Sequence, residues 1–277
     1  MKLDFAAPLR RVREAAPLVD CITNFVTVND CANIILAAGG SPSMAEDIRE
    51  VAECAAAADA LVCNLGAVEK VPSMQVAGQA ANKAGRPVVF DPVAAGGTSL
   101  RRWQSAELLK TVHFTAIRGN ASEIRALAES GVGGHGVDVD EQDVISQDTL
   151  GRAVDAARKL AQKTGSVVAV SGPLDVVSDG KQTVILKNGC ATMARITGSG
   201  CMLTALTGAF CGAMPEDPFT AVCGAVAAMG VAGELAEVRR LQNGTGNATF
   251  RTDLIDAIFN LTEEQLEEGV RYEIYEG

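Results

Sequence analysis

Short apolar runs that alternate with helical stretches constrain this chain more than any other feature. The run Val19-Asp20-Cys21-Ile22-Thr23-Asn24-Phe25-Val26 reads as a first strand, and residues 60–66, 86–93, 114–119 and 166–172 read as further strands. Each run is continuous in apolar residues rather than alternating, which is how strands covered on both faces of a parallel sheet look. Helical stretches lie between them at 31–37, 45–58, 72–85, 99–112, 121–129 and 148–164, and two more follow at 219–240 and 247–261. Asn29 or Asp30 can cap the first and Asn120 the fifth, and Pro72 opens the third. Residues 175–186 read as a hairpin turning at Ser178-Asp179-Gly180. The Gly39–Met44 segment reads as a loop without regular structure, and 131–140 as a loose loop of glycines and acids. With no internal repeat and no linker, the pattern predicts one α/β domain over residues 1–277, a mostly parallel sheet between helices.

Polar residues gather where the runs end: Asn24, Asn64, Asp91, Arg118, Ser171 and Thr197. In open α/β sheets ligands bind beyond the carboxyl ends of the strands. Six such ends facing one way is a stronger signal than any single motif. The last, the short β-like run Arg195-Ile196-Thr197, leads into Gly198-Ser199-Gly200-Cys201-Met202, where small residues give way at once to an apolar helical pattern. The first amides of a helix lack intrahelical partners, and with the helix dipole behind them they hold anions. Gly198 and Gly200 remove side chains where a phosphate would approach. An ordinary glycine turn before a buried helix is the alternative for this stretch taken alone.

The chain carries a net charge of −10, so an anionic substrate needs local help from a metal, an arginine or helix N-termini, and a nucleic-acid surface is not expected. No secretory signal and no uninterrupted membrane-spanning run stand out. Eight cysteines with no C-x-x-C pair, most inside apolar runs, read as reduced, mostly buried thiols of a cytoplasmic protein.

Asp91 sits between a β-branched run and Pro92, a position suited to a magnesium ion that takes few protein oxygens. Glu123, three after Asn120, fits a capping box as readily as a metal site, and the two roles are compatible. Arg118 at a strand end is a candidate anion clamp, and Ser171 with Gly172 can touch a nucleotide or simply turn. Cys201 at a helix start is expected to have a lowered pKa and could serve as a weak base, or it could be a small buried filler. Gly131-Val132-Gly133-Gly134-His135-Gly136 fits G-x-G-x-x-G, but it follows a helix rather than a strand and so fails as a dinucleotide motif. There is no G-x-x-x-x-G-K-[ST], and two histidines, His113 and His135, give no metal-like spacing.

Taken in order, Cys21-Ile22-Thr23-Asn24-Phe25-Val26-Thr27-Val28-Asn29-Asp30, Gly40-Ser41-Pro42-Ser43-Met44, Val89-Phe90-Asp91-Pro92-Val93, Arg118-Gly119-Asn120-Ala121-Ser122-Glu123-Ile124 and Thr197-Gly198-Ser199-Gly200-Cys201 resemble the hydroxyethylthiazole kinase family. The resemblance covers roughly residues 19–240. It implies a ribokinase-like three-layer α/β/α fold and the ATP- and Mg2+-dependent phosphorylation of the primary alcohol of 4-methyl-5-(2-hydroxyethyl)thiazole in thiamine salvage. It also implies a homotrimer with active sites between subunits. By motif, Met44 and Gly198 would line the thiazole site with Asn24 close by, and Arg118 and Ser171 would contact ATP. Asp91 and Glu123 would serve the magnesium, and the amides of Gly198, Ser199, Gly200 and Cys201 would hold the transferring phosphoryl group. This chain departs from the family's usual pattern at Ala94, where glycine is common, at Ala67, where threonine is common, and at Ser171, which keeps the hydroxyl of the more common threonine. Ribokinase-like relatives usually carry an aspartate base where this chain has Cys201.

Overall fold

The computed structural model describes residues 3–129 and 149–276. Its centre is a nine-stranded sheet in the order β2-β1-β3-β4-β5-β6-β7-β8-β9. The strands are β1 (Leu18–Ile22), β2 (Ser41–Ser43), β3 (Ala60–Asn64), β4 (Val88–Asp91), β5 (Ala116–Asn120), β6 (Val167–Ser171), β7 (Asp175–Ser178), β8 (Thr183–Leu186) and β9 (Tyr272–Ile274). The first six run parallel, and the last three extend the sheet by antiparallel pairing. The 175–186 hairpin is present, with its turn tied by Ser178, whose Oγ accepts from Gly180 N at 3.1 Å.

Two apolar layers cover the sheet. One face meets α1 (Ala6–Ala15), α2 (Val28–Ala38), α8 (Ser199–Ala213), α9 (Pro218–Asn243) and α10 (Asn247–Asn260); the short α11 (Glu263–Gly269) packs on the same side. The other meets α3 (Val51–Ala57), α4 (Val71–Lys83), α5 (Ser99–Thr111), α6 (Ala121–Glu129) and α7 (Leu150–Thr164). The core is built mostly of Ala, Val, Leu and Ile, as an aromatic content of 4% requires. Helix α9 is apolar around most of its circumference because it is enclosed. It is long and apolar enough to cross a membrane, yet 83% of its most apolar stretch is buried in the fold. Asp217 caps it, accepting from Thr220 N at 3.1 Å. All eight cysteines are free, five of them buried.

Four local expectations are corrected. The first strand ends at Ile22, because Asn24 turns the chain: its Oδ1 accepts from Val26 N at 3.2 Å. Ser41–Ser43 is an edge strand rather than a structureless loop; it pairs parallel with β1, and Ser41 N donates to the Pro17 carbonyl at 2.9 Å. The 45–58 helix is confined to Val51–Ala57. The run before Gly198 is no strand. Ala191–Arg195 forms a 3-10 turn, and Thr197 belongs to the approach to α8. The glycine-rich 131–136 motif and the start of the 148–164 helix lie outside the described residues.

Candidate active site

Side chains two apart on a strand share a face, and this rule assembles the site. Val62, Val89, Ala116 and Ala169 belong to the apolar layer on the α8 side. Two residues further along each strand stand Asn64, Asp91, Arg118 and Ser171. On four adjacent parallel strands the last position facing α8 is therefore polar. The register places Asn64 beside Asp91, and Asn120 beside Ser171.

The N-terminus of α8 lies against this row. Gly198 precedes the helix at φ 83°, in the left-handed region, and a Cβ there would lie 2.6 Å from Thr27 Cγ2. Only glycine fits both demands. A Cβ on Gly200 would collide with the Arg118 guanidinium, lying 3.0 Å from Cζ, so the cation sits directly over the open first turn. Arg118 also donates through Nη2 to Ser171 Oγ, and its Nη1 lies 3.8 Å from Asp91 Oδ2. Unpaired amides, an arginine and a hydroxyl converge on one space, which is the chemistry of a phosphate site.

Asp91 is buried at 1% exposure. Its Oδ2 accepts from Thr204 Oγ1 at 2.8 Å and Asn64 Nδ2 at 3.1 Å. Among the described residues Oδ1 has no hydrogen-bond partner, which leaves it for a ligand. Burial pushes the Asp91 carboxyl up to about 6; Glu123 adds to the rise, while Arg118 and Thr204 oppose it. Glu123 completes the capping box: its Oε2 accepts from Asn120 N at 2.8 Å, and Asn120 Oδ1 accepts from Glu123 N at 2.9 Å. Its Oε1 accepts from Ala94 N at 2.8 Å. Ala94 holds φ 55°, a left-handed conformation that glycine adopts more readily than alanine. Each Glu123 oxygen keeps a second lone pair, so a hydrated ion can still be met there. Among the described residues no cluster of three or more metal-binding side chains occurs. Two acids beside a phosphate cradle fit magnesium, which keeps most of its waters.

Cys201 corrects a sequence expectation. Its thiol is raised rather than lowered, chiefly by burial and next by the nearby Asp91 charge. Its Sγ accepts from Asn64 Nδ2 at 3.2 Å and Asn24 Nδ2 at 3.5 Å. A thiol that stays protonated at neutral pH is a poor base. We expect Cys201→Ala to keep kcat within about tenfold of the parent, well short of the 10²–10⁴ that a working general base supplies. Cys201→Asp should retain turnover, because the two asparagine amides can donate to the new carboxylate. Steady-state kinetics check both; loss of all turnover in a folded, substrate-binding Cys201→Asp would show that the thiol itself is required.

Asn24 joins the site through Cys201 and through Asn64 Oδ1, to which its Nδ2 donates at 3.2 Å. Met44 follows β2 and is half-buried against the α8-side layer. Asp20 supports that loop from below, with its Oδ1 accepting from Ala45 N at 3.0 Å. Sequence reasoning gave no role to Thr204, which links Gly200 O (3.2 Å) to Asp91. Its signal was a hydroxyl one turn beyond Gly200 in a largely apolar helix. Asp175 was also missed. Its Oδ1 accepts from Gly172 N at 2.9 Å, and burial pushes its carboxyl up to about 7 against the pull of Gly172 N and Arg118.

The fold and the site together define a small-molecule kinase of the ribokinase-like class. A model of the hydroxyethylthiazole kinase family matches residues 9–264. The chain is 44% identical over 269 residues to the hydroxyethylthiazole kinase of Clostridium acetobutylicum, covering 96% of this chain and 98% of that one. It is 47% identical to the enzyme of the same name from Desulfovibrio desulfuricans over 92% of each chain. The solved structure of a hydroxyethylthiazole kinase protein from Pyrococcus horikoshii superposes with a TM-score of 0.85 at 34% identity, over 98% of this chain and 99% of that one. A pyridoxal kinase from Staphylococcus aureus, in complex with AMP-PCP and pyridoxal, shares the fold at TM-score 0.56 and 15% identity, over 79% and 87% of the two chains. This chain belongs to the hydroxyethylthiazole kinase family.

Proposed function

We propose that this single-domain protein transfers the γ-phosphoryl group of ATP to the hydroxyethyl oxygen of 4-methyl-5-(2-hydroxyethyl)thiazole, as a step of thiamine salvage. The observation that carries the reading is the open first turn of α8 facing Arg118, Ser171 and Asp91 across three adjacent strands. Phosphoryl transfer asks a protein mainly for positioning and charge neutralisation. The amides of Gly198, Ser199, Gly200 and Cys201 hold the equatorial oxygens of the transferring group. Arg118 and Ser171 bind the ATP phosphates. Asp91 and Glu123 would hold a magnesium ion, which would supply charge neutralisation to the phosphates. Asn24, Met44 and Gly198 line the alcohol's compartment and aim its oxygen in line with the γ-phosphorus.

The alcohol loses its proton late in a loose transfer of this kind, so the weakness of Cys201 as a base is tolerable. Phe25, next to Asn24, is 88% exposed and Val26 is 56% exposed. Apolar side chains at the rim of a substrate compartment support a homotrimer whose neighbouring subunit closes that compartment. ATP use and eight free cysteines support a cytoplasmic location.

Purified protein incubated with ATP, Mg2+ and the thiazole alcohol should convert the alcohol to a species heavier by one phosphoryl group, read by mass spectrometry. Phosphate release without a phosphorylated thiazole would instead point to a nucleotide-dependent dehydratase on this scaffold. Turnover of a hydroxymethylpyrimidine in preference to the thiazole would move the substrate assignment while leaving the phosphate site as described.

A further inference from the structure

The donor compartment extends from the phosphate cradle into a cavity of about 480 Å³, within the usual range for small-molecule sites. Its near end holds Arg118, Ser171, Ser199 and Gly200. Asp175 belongs to that end, because it bonds Gly172 N and feels the Arg118 charge. The far end is walled by Met193, Ala194, Leu203, Val226 and Met229. On the function proposed above, a nucleotide anchored by its phosphates on α8 would place its base between these walls.

Nucleobases differ in the donors and acceptors on their edges, and a protein tells them apart by offering free partners there. Among the described residues the polar side chains at this end are already committed. Asn188 Nδ2 donates to Gly269 O at 2.9 Å and Glu234 Oε2 at 3.2 Å, while its Oδ1 accepts from Arg271 N at 2.7 Å. The Cys190 thiol donates to Gly233 O at 3.4 Å. Two backbone amides are occupied as well: Gly189 N donates to Glu234 Oε1 at 2.8 Å, and Met193 N to Cys190 O at 3.1 Å. The side chains left to meet the base are two methionines and small aliphatic residues. Thioethers are polarizable and adapt to different ring shapes.

We infer that this kinase reads the phosphates of its donor and not the base, so that it accepts nucleoside triphosphates as a class. The inference rests on the function proposed above and goes beyond it in the donor. Apolar contact alone discriminates by about 10–200-fold, whereas a site built to hydrogen-bond its ligand rejects a wrong one by about 10⁴–10⁵. GTP should therefore support thiazole phosphorylation with kcat/KM within about a hundredfold of ATP, and CTP and UTP should also be turned over.

The test is initial-rate kinetics with ATP, GTP, CTP and UTP at saturating Mg2+ and thiazole alcohol. A gap between ATP and GTP wider than a hundredfold overturns the inference, and a narrower one supports it. A second arm is independent of the alcohol: thermal shift of the full chain with Mg2+ and each of ADP, GDP, CDP and UDP. Comparable stabilisation by all four supports a base-blind site even if this thiazole proves the wrong acceptor. Stabilisation by ADP alone overturns it even if the thiazole is phosphorylated.

Discussion

Asp91→Asn should lower kcat by about 10³-fold or more while leaving the protein at least as stable as the parent at pH 7.5. The two effects have opposite signs for one reason. Burial has pushed the Asp91 carboxyl up to about 6, so the ionised form is held against its preference. A folded-state pKa above the unfolded value means that the folded protein binds the proton more tightly. At pH 7 the group therefore costs stability, and that cost shrinks as pH falls below about 6 and is gone below the unfolded value of about 3.9. An amide removes the cost throughout, and its oxygen still accepts from Thr204 and Asn64. It also removes the negative charge on which the proposed magnesium site depends. In the parent, activity should decline with acid as Asp91 takes up its proton. Magnesium competes with that proton, so the midpoint of the decline should move downward as Mg2+ is raised. Thermal unfolding and pH–rate profiles at two magnesium concentrations check these signs. A variant that loses activity and stability together would make Asp91 a structural acid, and a midpoint indifferent to magnesium would remove it from the metal site.

The strand ends were legible in the sequence because period-2 geometry leaves little freedom. Once Val62, Val89, Ala116 and Ala169 are core residues, the polar residue two positions later must face the same layer. The capping box at Asn120 and Glu123 was legible because it is local. What could not be read were effects set by distant parts of the chain. Thr204 and Asp91 meet across 113 positions, and no spacing rule announces that contact. Ser41–Ser43 contains no apolar run, and it is a strand only because β1 offers its edge. The Cys201 thiol was misjudged because position at a helix start is visible in sequence, whereas burial beside Asp91 is a property of the assembled core. Arg195-Ile196-Thr197 looked extended by composition, yet Arg195 closes a 3-10 turn over Ala191–Arg195.

Gly200→Ala should cost about 10²–10³ in kcat/KM for ATP without destabilising the fold. Within a helix alanine is favoured over glycine by about 1 kcal/mol, so α8 itself gains. The difficulty lies above it. The new methyl would lie 2.9 Å from Arg118 Nη2 and nearer still to Nη1. The far end of an arginine moves easily, so the clash is relieved when the guanidinium leaves Ser171 and Asp91. The protein then keeps its shape but loses its cation over the proposed cradle, and the methyl takes space that the proposed phosphate site needs. These two contributions can be separated by a double-mutant cycle with Arg118→Ala. If displacement of Arg118 is the main effect, the double variant should be little worse than Arg118→Ala alone. Losses that multiply would instead show that the methyl obstructs the phosphate directly, with Arg118 still in place. Parent-like turnover in Gly200→Ala would dismiss the first turn of α8 as the phosphate cradle, because no phosphoryl oxygen could then be resting on it.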